Sequence, residues 1–558
     1  MDLEIPTGKR TRKYRFFERV PALVSYGAII VLVVLSIIHP VFAAVYLLII
    51  ILTMLIKAFG IAYQMIVGRS RMDKASNVDW QSRLNDLEDP KEAYARHFGH
   101  TSRSFGFEQH RENLRLMAAA EEGYFPRPSE LYNALIVPAY NEPYEIIENS
   151  IKAVLDTTYD KSHLIVVFTY EERGGAGIKR TAAKLQKKFA GSFHTFQTVE
   201  HPRDIPNEVI GKGGNITHAG RWLKGYLEEQ DIAFSNVIVT TMDCDNKPHK
   251  TYFDYLMYEY IVHEDRKHLS YQPVCLFTSN IWDVPAPMRV VATGNSFWNI
   301  ISSMRPHTLR NFASHAQPMD ALAEMDFWSV RTIVEDGHQY WRSYFYFGGN
   351  YSVVPLHVPI YQDAVLSDTY LKTLKAQFIQ LRRWAYGASD VPYVAVRIFT
   401  KQRNVPFWSG FTRFVRLLDG HVTLACVSIL VAFGGWVPLL INGDASRVMA
   451  VHQLPDTISL LQRIAMIGLV ISIFTSFKLL PPRPARYKRR RNVLMVLQWV
   501  LMPVTAIVYS SAAAFYSQTR LFFGDYLDRF DVTEKTTVDL NDRAKHTRSK
   551  AGRRDDAS

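Results

Sequence analysis

Two long apolar runs stand almost end to end near the N-terminus, Val20 to Ile38 and Val41 to Ile56, with only His39 and Pro40 between them. A helix needs about 20 apolar residues to cross a bilayer, and each run approaches that length. A cleaved signal peptide would account for one run, but a second run directly behind it points to a hairpin that returns the chain to its starting side. Three more runs follow near the C-terminus: Leu417 to Ile441, Ile458 to Leu480, and Val493 to Phe515, the last interrupted by Pro503. Of the 558 residues 48% are hydrophobic and 21% charged, and it is the crowding of the apolar ones into the ends that sets the class. The expectation is a multi-pass membrane protein with a soluble domain between its anchors.

The net charge is +12, and much of the basic excess sits in Lys9 to Arg19 and Arg483 to Arg491, beside apolar runs. That placement marks cytoplasmic flanks and contact with anionic membrane lipid, not nucleic acid. The soluble domain is therefore expected at the cell membrane, facing the cytoplasm. A third C-terminal crossing would put the tail from Gln518 outside, whereas a re-entrant hairpin broken at Pro503 would keep it inside. The Lys- and Arg-rich tail favours the hairpin, and the final residues, from Lys545 on, read as disordered. Cys244, Cys275 and Cys426 are far apart, implying neither a disulfide framework nor a cysteine metal site.

Between the anchors, Ala134 to Val137, Leu164 to Phe168 and Val237 to Thr241 are short, β-branched, nearly unbroken apolar runs, as expected for strands buried on both faces of a parallel sheet. Helical patterns separate them. After Asn141, a candidate N-cap, Ile147, Ile151, Val154 and Leu155 recur at helical spacing; after Gly177, Ile178, Ala182, Leu185 and Phe189 do the same. Alternating strand and helix predicts a doubly wound α/β domain. Val67 to Glu130, charged and weakly periodic, reads as a lead-in to it.

The third apolar run ends in Asp243 and Asp245. Side chains two apart on a strand point to one side, so this pair can close on one hard divalent cation, Mg²⁺ or Mn²⁺, at the sheet's carboxyl edge, where open α/β sheets bind ligands. A plain turn is the bland alternative. After Pro138 the turn Tyr140-Asn141-Glu142 leads into a helix, placing backbone N–H groups and small polar side chains at the same edge. In G-K-G-G-N at 211 to 215, glycines let backbone approach an anion, Lys212 adds a point charge, and a helix starting near Asn215 offers its positive end. Gln380, Arg383 and Trp384 fall at i, i+3 and i+4 and share one helix face, while Leu371, Leu374, Phe378 and Leu381 repeat helically as on an amphipathic helix at the bilayer surface. Val405 to Arg416 reads as a second interfacial helix, with Trp408, Phe411 and Phe414 against Arg413 and Arg416.

L-I-V-P-A-Y-N-E-P at 135 to 143, D-C-D at 243 to 245, V-E-D at 334 to 336 and Q-L-R-R-W at 380 to 384 occur in an order and spacing that resemble the membrane-embedded family 2 glycosyltransferases, the group that includes cellulose, chitin and hyaluronan synthases. The motif series covers about half of the chain. The resemblance implies a GT-A domain inserted between N- and C-terminal transmembrane helices, transferring a sugar with inversion from a nucleotide-diphosphate sugar, a UDP-sugar by expectation, to a growing polysaccharide. It puts a metal on Asp243 and Asp245. It turns Asn141, Glu142, Glu171, Glu172, Lys212, Asp243, Gln380 and Arg383 toward the donor and Trp384 toward the acceptor. It makes Asp336 the general base, with Glu335 the next candidate. Glu171 and Glu172 depart from the commoner Asp at the base-facing position, and Val334 stands where the family has Thr.

The chain accordingly divides into a basic N-terminus with two transmembrane helices (1–63), a lead-in (64–130), a cytoplasmic catalytic domain closing with interfacial helices (131–400), an interfacial helix with the C-terminal membrane region (401–517), and a polar tail (518–558). Two other readings stay open: single-sugar transfer to a lipid or lipid-linked acceptor, which needs no polymer channel, and a transporter or non-catalytic membrane scaffold. Against a transporter, the apolar runs carry few ionisable residues, Asp419 and His421 lying near an end.

Overall fold

The apolar runs read as strands form the middle of an eight-stranded mixed sheet in a computed structural model that describes residues 3–443 and 447–527. The strands are β1 (Tyr132–Ala139), β2 (Leu164–Glu171), β3 (Thr195–His201), β4 (Val237–Thr241), β5 (Lys247–Pro248), β6 (Leu269–Leu276), β7 (Ala316–Pro318) and β8 (Ser352–Tyr361), in the order β3-β2-β1-β4-β7-β6-β8-β5. The β3-β2-β1-β4 half is parallel throughout, with Leu135 opposite Val166 and Thr240. Beyond it β7 runs antiparallel to both β4 and β6, so the sheet departs from the all-parallel form expected.

Alternation along the strands explains why both faces are buried. Leu135, Val137, Val166, Phe168 and Ile238 join one core with Ile147, Ile151, Ile178, Ala182 and Leu185 from the helices Tyr144–Leu155 and Gly175–Phe189. Ala134, Ile136, Ile165, Val167, Val237 and Val239 join the other with Ile216, Ala219 and Leu223 from the helix Lys212–Glu229. A strand residue therefore meets a helix whichever way it points, and the sequence there tolerates little but apolar side chains. Two helix starts differ from the sequence reading. The first helix begins at Tyr144 behind Pro143, so Asn141 is not its cap, and the third begins at Lys212, not near Asn215.

Among the described residues four helices are long and apolar enough to cross a membrane: Arg12–Ile38, Pro40–Ser76, Phe407–Ile441 and Arg490–Phe523. Their outer faces leave Ile30, Ile37, Ile49, Ile56, Leu440 and Val500 largely exposed, which water would penalise and lipid would not. Pro40–Ser76 continues well beyond Ile56, where the apolar run stops. At 37 residues it is about 55 Å long against a hydrocarbon core of about 30 Å. Its far end packs on the soluble domain: Arg305 Nε donates to Gln64 Oε1 at 2.7 Å, and Gly68 lies flat against Ile300 and Met304. Leu454–Leu479 forms a further long helix whose Gly468 approaches Ala62.

The segment expected as a separate interfacial helix, Val405 to Arg416, is instead the start of the continuous helix Phe407–Phe433, which has no proline after Pro406 and carries Gly410 and Gly420 without a break. Val493 to Phe515 does not turn back at Pro503 either. The chain runs as one 34-residue helical rod that tightens to 3₁₀ turns at Gln498–Leu501, just before the proline, and changes to π-helical turns at Ala506–Ser511 after it. Both ends of this rod lie against the soluble domain and its entry helix. Arg289 Nε donates to Gln498 Oε1 at 2.5 Å and Arg491 Nη2 to Trp282 O at 3.0 Å; at the other end Ser517 Oγ donates to Arg382 O at 2.6 Å and Arg15 Nη2 to Phe522 O at 3.1 Å. The final residues expected to be disordered lie outside the described residues.

Candidate functional site

Parallel strands β1 and β4 end side by side, at Ala139 and Thr241, and the chain leaves each in a turn. Asp243 and Asp245 lie in the turn after β4, two and four residues past its end, so they are not strand neighbours as the spacing argument assumed. Asn246 N donates to Asp243 O at 2.9 Å and closes the turn. Asp243 is about a third exposed and Asp245 almost fully buried.

The centre of the site is a lysine. Lys212, the first residue of its helix, extends its ammonium to 2.9 Å from Asp243 Oδ1, 3.0 Å from Asp336 Oδ2 and 3.8 Å from Glu335 Oε1. Burial disfavours the charged ammonium, but the carboxylates of Asp243, Asp336 and Glu335 outweigh it and raise the Lys212 pKa far above the ordinary lysine value. It is a fixed positive charge at any physiological pH. Glu335 and Asp336 form the first turn of the helix Glu335–Tyr346, where the helix dipole favours carboxylates. Burial and then the neighbouring Asp336 raise the Glu335 pKa, while Lys212 and Arg383 oppose the rise. Glu335 Oε2 is buried and has no hydrogen-bond partner among the described residues.

His315, just before β7, was not anticipated. Its Nδ1 donates to Phe312 O at 2.8 Å and its Nε2 accepts from Trp328 Nε1 at 3.1 Å, which fixes the neutral tautomer, and burial lowers its pKa. That neutral ring stands 3.8 Å from Asp336 Oδ1 and walls one side of the carboxylate. No sequence signal marks it, because its contacts with Trp328 and Asp336 come from other segments of the chain.

The turn after β1 is occupied from within. Glu142 Oε2 accepts from the backbone N–H groups of Tyr140 at 2.7 Å and Asn141 at 3.1 Å, the groups expected to face a ligand. Asn215, inside its helix, ties the strand ends together: Thr169 Oγ1 donates to its Oδ1 at 2.5 Å, and its Nδ2 donates to Ala139 O at 3.3 Å. Gly213 and Gly214 are required by close approach, but of this chain's own atoms. A Cβ on Gly213 would lie 2.3 Å from Ser329 O, and one on Gly214 would lie 2.6 Å from Glu208 Oε2.

Glu171 and Glu172, at the end of β2, have internal partners too. Glu171 accepts from His201 Nδ1 and from Arg173 Nη1, each at 3.1 Å, and Glu208 accepts from His201 Nε2 at 3.0 Å. Burial alone would lower the His201 pKa; the bonds to Glu171 and Glu208 reverse that and lift it to about 9. Glu172 accepts the backbone N–H of Arg203 at 3.1 Å. The two acids thus brace the loop between β3 and Lys212.

Gln380, Arg383 and Trp384 lie on the helix Tyr370–Ala385 as their spacing predicts. Arg383 is near enough to Glu335 for its charge to act there, Gln380 Oε1 accepts from Gln377 at 3.1 Å, and Trp384 is 39% exposed with its ring 5.9 Å from that of Phe277. The hard carboxylate oxygens of Asp243 and Asp245 suit Mg²⁺ or Mn²⁺, and Lys212 already supplies positive charge between Asp243 and Asp336.

No protein-family model and no curated protein matches this sequence. Among solved structures the chain is similar to the mannosyltransferase PcManGT from Pyrobaculum calidifontis in complex with GDP-Man and Mn²⁺, at 14% identity and a TM-score of 0.39, over 83% of this chain and 99% of that one. It is also similar to S. aureus TarS 1-349 in complex with UDP-GlcNAc, at 12% identity and a TM-score of 0.33, over 72% of this chain and 95% of that one. Likeness at this level lends no weight to a choice of function, which rests on the residues above.

Proposed function

We propose that this chain is a membrane-bound glycosyltransferase of GT-A type that moves a sugar from a nucleotide-diphosphate donor to an acceptor hydroxyl with inversion. One observation carries the reading. Residues from separate stretches, Lys212, Asp243, and the pair Glu335 and Asp336, converge on one buried ammonium beside the carboxyl ends of parallel strands, and Arg383 lies within electrostatic reach of Glu335. A fold needs no such convergence, whereas chemistry on a diphosphate needs fixed positive charge beside a carboxylate base.

In this reading Lys212 and Arg383 face the donor diphosphate, and Arg383 presents a planar fork of N–H donors as negative charge grows on the leaving group. Asp243 and Asp245 would hold Mg²⁺ or Mn²⁺, which when bound neutralises the diphosphate. Asp336 takes the proton of the acceptor hydroxyl. The new bond forms from that oxygen to the anomeric carbon as the opposite bond to the diphosphate breaks, and the nucleoside diphosphate departs with the electron pair. A donor brought to Lys212 displaces part of its contact with Asp336, which frees the base when substrate is present. His315 beside Asp336 does not compete for the proton, because its Nε2 lone pair is taken by Trp328 and its Nδ1 proton is bonded to Phe312 O.

Asp336→Asn keeps the shape and removes the proton acceptor. Turnover is expected to fall by about 10²-fold or more while donor affinity changes little. A variant with near-normal turnover would move the base elsewhere, with Glu335 the next candidate. The acceptor is a sugar chain in this proposal, held by the exposed ring of Trp384. Contact between the Tyr370–Ala385 helix and the rod Arg490–Phe523 also suits a lipid-borne acceptor arriving from the bilayer. Product masses separate the two: a ladder that lengthens with donor excess means a polymer, and a single increment means one-step transfer.

A further inference from the structure

The lead-in segment contains a cluster that plays no part in the proposed chemistry. Asp86 follows the short helix Trp80–Asn85, His97 ends the helix Pro90–His97, and His110 lies in the helix Phe107–Ala119, yet their side chains meet. His97 Nε2 lies 3.0 Å and His110 Nε2 3.1 Å from the same oxygen, Asp86 Oδ2. The two imidazole rings stand 5.6 Å apart at 69°, so both present Nε2 to one point without stacking.

We propose that Asp86, His97 and His110 bind a zinc ion that ties the three short helices of the lead-in segment to one another. Around a tetrahedral ion with bonds of about 2.0–2.1 Å, ligand atoms are separated by about 3.3 Å, close to the separations seen here. The donor set of two imidazoles and one carboxylate suits zinc over the hard cations that Asp243 and Asp245 would favour. The surrounding groups are those a ligand set needs. His110 Nδ1 lies 3.0 Å from Tyr258 OH, which also accepts from Asn113 Nδ2 at 3.1 Å; a Nδ1–H directed there leaves the Nε2 lone pair facing Asp86. Arg96 Nη2 donates to the other carboxylate oxygen, Asp86 Oδ1, at 3.0 Å, which leaves Oδ2 for the ion. Arg96 is more than half exposed, so water dilutes its repulsion for a cation; buried Arg83, hydrogen-bonded to Ser104, is a further positive charge near His110 and Asp86.

Asp86 and His110 are buried, and His97 is 28% exposed. The fastening has a purpose in the fold. Tyr258 belongs to the helix Tyr252–Val262, which follows the Asp243–Asp245 turn, and Trp80 stacks on Tyr255 of that helix with ring centroids 3.7 Å apart. An ion tying Asp86 and His97 to His110 would hold three short helices, none long enough to be stable alone, in one unit that the Tyr258 and Tyr255 contacts dock on that helix.

The test uses the tag-free full-length protein in detergent, loaded with zinc in millimolar Mg²⁺ so that oxygen-only sites are filled, then desalted. About one zinc per chain is expected by mass spectrometric metal analysis, with about two imidazole nitrogens at ~2.0 Å in X-ray absorption. Zinc should raise the unfolding temperature of the wild type, and Asp86→Asn and His110→Gln should cut zinc content by about tenfold or more. His97→Gln, at the partly exposed ligand, gives the same loss if the buried variants fail to fold. Less than about 0.1 zinc per chain in the loaded wild type, or equal zinc in His97→Gln, would overturn the proposal. The outcome is independent of whether the chain transfers sugars.

Discussion

Replacing Lys212 by methionine keeps a side chain of similar length and removes a charge that reaches Asp243, Glu335 and Asp336 together. The ammonium is about nine-tenths buried and makes contacts of 2.9 Å and 3.0 Å with two of the three carboxylates. Removing one partner of a buried ion pair costs about 3–5 kcal/mol. At about 2–4 °C per kcal/mol for a domain of this size, the unfolding temperature should fall by about 6–20 °C at neutral pH. The loss should depend on pH with a definite sign. Without Lys212, Glu335 titrates higher still in the folded state than in the unfolded one, since burial and Asp336 already push it up and Lys212 opposes them. A carboxyl raised by folding takes up a proton as the chain folds, so the variant should recover stability relative to wild type as pH falls from 8 toward about 5. Thermal unfolding followed by intrinsic tryptophan fluorescence, in one detergent across that range, measures both effects. A variant within about 2 °C of wild type at every pH would refute the claim that Lys212 holds the carboxylates together.

His201 gives the opposite pH dependence. Its folded value of about 9 exceeds an unfolded value of about 6.5, so the clamp on Glu171 and Glu208 is complete below pH 6.5 and is lost as pH rises through 9. Protease protection of the loop from Arg203 to Gly211 should weaken over that interval in wild type and show no such step in His201→Gln. Gly213→Ala sets a methyl 2.3 Å from the Ser329 carbonyl oxygen, which is backbone and cannot rotate away. The displaced Lys212 helix should cost about 1–3 kcal/mol and lower turnover, and an alanine variant indistinguishable from wild type in unfolding temperature and rate would contradict the packing described.

Strands β1, β2 and β4 were legible because burial on both faces leaves a run with hardly a polar residue in it. The others hide for different reasons. β3, T-F-Q-T-V-E-H, is a sheet edge with only every third or second residue buried, β5 and β7 are two and three residues long, and β8 carries Pro355 and Pro359, which argue against a strand on sequence alone. β8 accepts them through an irregular register opposite Pro273 and Val274 of β6.

The site residues were legible as motifs but their relations were not. Lys212 and Asp336 are 124 positions apart, and nothing in either segment says that they touch. The glycines beside Lys212 correctly signalled close approach, but a bare backbone does not say what approaches, and here it is Ser329 and Glu208. Asp243 and Asp245 were read with strand geometry because the apolar run gives no sign that pairing stops at Thr241. The lead-in stayed silent because its first two helices are only six and eight residues long, too short to display a period, and its order comes from long-range contacts such as His110 with Tyr258.

The most direct test of the central claim offers the purified protein a panel of nucleotide-diphosphate sugars with Mg²⁺ or Mn²⁺ and measures nucleoside diphosphate released with one labelled sugar transferred. The account expects release from at least one donor, lost with chelator, restored by added metal, and reduced about 10²-fold or more in Asp336→Asn. Release of nucleoside diphosphate from no donor by well-folded protein supplied with membrane lipid and oligosaccharide acceptors, or full turnover by Asp336→Asn, would contradict it.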